Sequence, residues 1–173
     1  MGLSYKGGRE ELTDSVGLLI SILVRYPEVS TINFDPGKQL LKFTFIYSQV
    51  LGDNELASLK VKLSDSIEAY NLLEGKETLL TAISHNVCDN LTMIEVQRDV
   101  HSLAQEEINL IVELFRQFLN SNLVTEENDR LIEEDIIAQE EMIEHMLQCI
   151  KGSAENKYLF AFREEGRVLV FNK

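Results

Sequence analysis

STINFDPGKQLLKFTFIYS, residues 30–48, decides the fold class. Its apolar residues follow a period of two on both sides of Asp35-Pro36-Gly37-Lys38, a turn in which proline presets φ and glycine accepts a positive one. Two strands, Ser30 to Asp35 and Gln39 to Ser48, are therefore expected. Upstream the period changes. Leu12, Val16, Leu19, Ile20 and Leu23 recur at three and four, the pattern of a helix that buries one side. Pro27 ends it, because the residue before a proline is steered out of the helical region.

Downstream, Leu51-Gly52-Asp53-Asn54 is a second turn. Ser58 to Leu63 alternates, with Leu59, Val61 and Leu63 on one face and the lysines in water, and reads as a third strand. A helix across Glu55 to Leu73 is the competing reading. Asp65 to Glu74 then forms a short helix, capped by Ser64 and stopped by Gly75. Strands Thr78 to His85 and Leu91 to Arg98 flank a loop, Asn86 to Asn90. Ser102-Leu103-Ala104-Gln105 has the form of a capping box and opens a helix to about Asn120. Beyond the connector Asn120 to Val124 comes a second helix, 125 to 150. So short a connector favours antiparallel packing of the two as an αα-hairpin.

The chain closes on a hairpin, Tyr158 to Phe162 and Val168 to Phe171, turned by Glu164-Glu165-Gly166. Both its faces are apolar, so it is expected inside a sheet or at a subunit interface. Together these elements define an α+β fold: a mainly antiparallel sheet of hairpins, about seven strands, packed against helices. Residues 1–9 read as a flexible N-terminus and residues 10–173 as a single domain.

Most of the charge sits in one helix. Thr125 to Ile150 carries nine carboxylates against one cation, Arg130, and so holds eight of the chain's thirteen net negative charges. At 100° per residue, Ile132, Ile136, Ile143, Met146, Leu147 and Ile150 fall on one side. Glu133, Glu134, Glu140, Glu141 and Glu144 fall opposite and form an expected docking face for a basic partner. Asp135 and Gln139 interrupt the apolar seam as a polar notch. Contact with solvent is the preferred reading of that notch, ahead of a register-setting role for Gln139.

Two local pairs have zinc-like ligand types: His85-x-x-Cys88 and His145-x-x-x-Cys149. About 60 residues separate them, and nothing in the sequence brings them together. Ordinary buried cysteines and a helix-edge histidine are preferred, so no cofactor is expected and zinc ranks second. Glu141 and His145 lack the spacing of a carboxylate-bridged dimetal site. Gly75-Lys76 lacks the earlier glycine of a phosphate-binding loop. No Gly-x-Ser-x-Gly elbow anchors a nucleophile.

These residues lead to a non-enzymatic protein acting through protein–protein contact, with a homodimer expected from its excess of apolar surface. The alternative is a small-molecule or metal-binding enzyme or sensor, with a pocket between the sheet and the helix pair. Scattered basic residues, 16 against 29 acids, argue against nucleic acid. The longest apolar run is too short to cross a bilayer. Two cysteines suit a reducing compartment, and a cytoplasmic location is expected.

Overall fold

The computed structural model describes residues 3–5, 13–125, 133–153 and 157–172. In chain order the elements are β1 (Leu3–Tyr5), α1 (Asp14–Arg25), β2 (Thr31–Asp35), β3 (Leu40–Tyr47), α2 (Asp53–Leu73), β4 (Thr81–Cys88), β5 (Leu91–Asp99), α3 (Gln105–Leu119), α4 (Glu133–Ile150), β6 (Leu159–Glu164) and β7 (Arg167–Asn172). One sheet contains all the strands among the described residues, in the order β1-β7-β6-β2-β3-β5-β4. Six strands pair antiparallel, and β1 joins β7 in parallel. The rest of the segment expected to be flexible, and the acidic helix before Glu133 with Ile132, lie outside the described residues.

Alternation along the strands separates two faces. Ile32, Phe34, Leu41, Phe43, Phe45, Ile94, Val96, Leu159, Ala161, Val168 and Val170 share one face and are buried. Helices α1, α2 and α3 cover it. Phe45 stacks on Phe115 of α3 with ring centroids 3.8 Å apart. Arg163 of β6 donates to the carbonyls of Leu23 and Tyr26, so it caps the C-terminal end of α1. The expectation for the last hairpin holds: β6 lies inside the sheet, between β2 and β7. On the opposite face Phe162 stacks on Phe171, 5.5 Å apart.

Three readings change. Ser58 to Leu63 is not a strand; it lies within the single helix α2, which also absorbs the short helix expected from Asp65. Leu56, Leu59, Leu63 and Ile67 recur at three and four and face the core, whereas Val61 is 58% exposed. A six-residue window hid that longer period. The loop Asn86 to Asn90 shrinks to Asp89-Asn90, both at positive φ, as a two-residue hairpin turn requires. His85 and Cys88 therefore belong to β4.

The expected αα-hairpin is the third. α4 packs chiefly along α1, and it touches α3 far less. The cause lies in α1, which is buried nearly all round and so presents a second apolar side to α4. Gly17 permits the approach: a Cβ there would stand 3.0 Å from Met146 Sδ. Gly17→Leu should therefore overpack the α1–α4 seam and destabilise the fold by about 1–3 kcal/mol. Met146→Ala in the same chain should restore part of that loss, measured by urea unfolding in a double-mutant cycle.

Candidate functional site

The site begins with an arginine on the wrong side of a strand. Arg98 follows Ile94 and Val96 at the same parity on β5, so its side chain enters the core, where it is 0% exposed. A charge taken out of water requires charged and hydrogen-bonded partners. Glu107 of α3 supplies two, accepting from Nε at 2.6 Å and from Nη2 at 2.7 Å. Asp99 accepts from Nη1 at 2.5 Å, the Leu80 carbonyl also accepts from Nη1, and the Ser102 hydroxyl accepts from Nη2. Asn71 of α2 donates to Glu107 Oε1 at 2.7 Å and closes the group. Three neighbouring pieces of chain, the residue before β4, the end of β5 with the turn after it, and α3, are thereby fixed to one guanidinium, and α2 is joined to it through Glu107.

Ser102 is thus not the expected capping residue. Its backbone N–H and hydroxyl both donate to Asp99. Ala104 stands at the N-cap without a side-chain bond. One of the orphan donors of this helix end, the N–H of Gln105, is instead satisfied by Glu144 of α4 at 2.9 Å. Gln105 Nε2 donates to Tyr26 Oη, which in turn donates to Asn109. Burial pushes the Tyr26 hydroxyl up to about 12, against the lowering effect of the Gln105 bond.

Adjacent residues divide the work between core and surface. On α2, Asn71 faces the buried cluster while Tyr70 faces outward; on α3, Glu107 and Glu106 do the same. Tyr70 donates to Glu106 Oε2 at 3.1 Å. Partial burial and that carboxylate raise the Tyr70 hydroxyl above its ordinary value. Above the buried cluster lies an open cleft of about 430 Å³, lined by Tyr70, Glu74, Lys76, Ala104, Gln105, Glu106, Ile137, Glu140, Glu141 and Glu144. Five of these are glutamates and one is a lysine.

Their charges are unequally engaged. Glu140 pairs with Arg25 at 3.0 Å. Glu144 accepts from Gln105 N and from Gln148. Among the described residues, Glu74 and Glu141 carry no ion pair. Ile137, 51% exposed, supplies an apolar patch beside them.

Of the docking residues expected from sequence, Glu140, Glu141 and Glu144 line the cleft, whereas Glu133 and Glu134 are exposed on the first turn of α4. Asp135 is exposed, so the polar notch reduces to Gln139, whose buried Oε1 has no hydrogen-bond partner among the described residues. His85 lies 2.8 Å from Lys60, and His145 3.6 Å from Cys149. Both cysteines are free and exposed. No group of three or more His, Cys, Asp or Glu side chains among the described residues is arranged to hold a metal ion. The preference for buried cysteines is corrected with them. Glu74, Glu106 and the Arg98 cluster were missed, although the parity of Ile94, Val96 and Arg98 was a readable signal. No described helix is long and apolar enough to cross a membrane.

No protein-family model, curated protein or solved structure matches this chain.

Two outcomes follow from the buried cluster. Arg98→Met strands Glu107 in the core and should cost about 3–5 kcal/mol by chemical unfolding. Adding Glu107→Met should recover part of it. The second outcome concerns pH. Burial alone would raise the Asp99 carboxyl, but hydrogen bonds from Ser102 and from the Leu80 and Ser102 N–H groups, with the Arg98 charge, hold it below its ordinary value. A depressed carboxyl adds stability that is present above its unfolded value of about 3.9 and lost as pH falls through the folded one. Unfolding curves should weaken below that pH, and Asp99→Asn should flatten the dependence.

Proposed function

We propose that this chain is a non-enzymatic interaction protein, working as a cytoplasmic homodimer, whose acidic cleft receives a lysine- or arginine-bearing segment of a partner protein. The observation that carries this reading is a cleft in which five glutamates face one lysine, Lys76, with Glu74 and Glu141 in no ion pair among the described residues and exposed Ile137 beside them. A long basic side chain suits that combination. Its methylenes lie on the isoleucine while its charged head meets the glutamates. The surrounding field, from a chain of net charge −13, adds long-range attraction for a basic partner. The two free cysteines fit a reducing compartment.

The enzyme or sensor reading has less support. None of His85, Cys88, Asp135, His145 or Cys149 lines the cleft, and no histidine, cysteine or serine stands among its lining residues. Proton transfer there would fall to the glutamates, Lys76 and Tyr70, with no histidine, cysteine or serine beside them to form a nucleophile–base pair.

The test is fluorescence anisotropy with lysine- and arginine-rich peptides. Affinity should fall by about tenfold or more for the Glu74→Lys, Glu141→Lys double variant, and again when salt is raised to about 0.5 M. Binding that ignores both changes, or no binding to any basic peptide, contradicts the reading.

A further inference from the structure

The sheet has two unlike ends. One is β1, three residues long. The other is β4, eight residues long and, among the described residues, paired on one side only, with β5. A strand left in that position presents a row of backbone donors and acceptors to any other chain. Proteins usually blunt such edges with charge, proline, a bulge or brevity.

β4 uses none of these. Its residues, Thr-Ala-Ile-Ser-His-Asn-Val-Cys, include no proline and no carboxylate, lysine or arginine. Its register against β5 runs without interruption from Thr81↔Arg98 to Cys88↔Leu91, so no bulge turns it away. Six of its eight residues are exposed. In a chain whose residues are 26% charged, an uncharged run of this length at a sheet edge stands out.

The helix above it has the same character. α2 reaches β4 through Lys60, 2.8 Å from His85. Away from the core it presents a shallow groove containing Ala57, Val61, Lys62 and Asp65. One lysine and one aspartate leave that groove neutral, and Val61 at its middle is 58% exposed.

We propose that β4 pairs antiparallel with β4 of a second copy of this chain, joining two sheets into one, with the outward sides of the two α2 helices meeting beside the seam. This rests on the homodimer part of the function proposed above and supplies its surface; the cleft is not involved. Charge selects the occupant. Two chains of net charge −13 repel each other at long range, so they associate where both are locally neutral. β4 carries no charged residue, and on α2 Lys60 and Lys62 stand against Asp65, so this surface holds no excess of negative charge, and Lys62 and Asp65 let it complement its own copy. An antiparallel strand pair also has the twofold symmetry that a closed dimer requires.

Sedimentation and light scattering of the full chain test this, alongside variants with exposed substitutions that spare the core and meet no carboxylate on β5: Val61→Glu, and Ala82→Glu with Asn86→Glu. The wild type should be dimeric, and each variant should raise the dissociation constant by more than about tenfold, since like charges then face each other across the seam. A second readout is disulfide trapping. In a Cys88→Ser, Cys149→Ser background, single cysteines placed from Ala82 to Asn86 should cross-link best at one central position. Salt gives the third, because screening should tighten the dimer while it weakens basic peptides in the cleft. A wild type that stays monomeric overturns both the dimer and its surface. A dimer that survives the glutamates unchanged, or cross-links nowhere along β4, overturns the surface alone. Peptide binding to the cleft reports separately on the rest of the proposed function.

Discussion

A fully buried guanidinium has few tolerable arrangements, and the fold is organised around one of them. Removing Arg98 from water is expensive, so its five donors must meet acceptors fixed in direction as well as distance. Those acceptors come from Glu107, Asp99, Ser102 and the Leu80 carbonyl, which belong to separate pieces of chain. Apolar packing alone would let α2 and α3 slide a little over the sheet. The bidentate Arg98–Glu107 pair and the Asn71 bond do not.

That constraint reaches the surface through adjacent residues. Where Asn71 and Glu107 are held inside, Tyr70 and Glu106 are held just outside, and they form one wall of the acidic cleft. α4 supplies the other wall. It is tied in by Glu144, which satisfies a helix-end donor of α3, and by Glu140, which pairs with Arg25 of α1. Several glutamates thus serve structure and local field together, whereas Glu74 and Glu141 carry no ion pair among the described residues. At the far end of the sheet β4 itself contains no carboxylate, lysine or arginine. The chain concentrates negative charge at one surface and clears it from another, and the proposed basic partner and the proposed self-association each rest on one side of that contrast.

Much of this was legible in the sequence, for physical reasons. Strands β2, β3, β6 and β7 were readable because one alternating pattern met strong turn signals at Asp35-Pro36-Gly37 and Glu165-Gly166. α1 was readable because its apolar residues recur at helical spacing. α2 was misread because Leu59, Val61 and Leu63 satisfy a strand template over six residues, and only Leu56 and Ile67 reveal the longer period. The acidic character of α4 was visible, but its neighbour was not: sequence proximity pointed to α3, whereas the apolar circumference of α1 drew it away. Three of the cleft's glutamates lie on the helix that composition singled out. Glu74 and Glu106 come from elsewhere in the chain, and only the folded packing of α2 and α3 brings them there. Ser102 and Gln105 matched a capping box by letter, yet the buried arginine claimed the serine.

The most direct measurement of the central claim is native-state hydrogen exchange on Glu107→Gln, which keeps the shape of the side chain and removes its charge. If Arg98 and Glu107 hold the cleft wall, amides in the last turns of α2 and the first turn of α3 should lose protection together, while the α1–α4 seam keeps its own. Unchanged protection in α2 and α3, or a uniform loss across the whole chain, would contradict it.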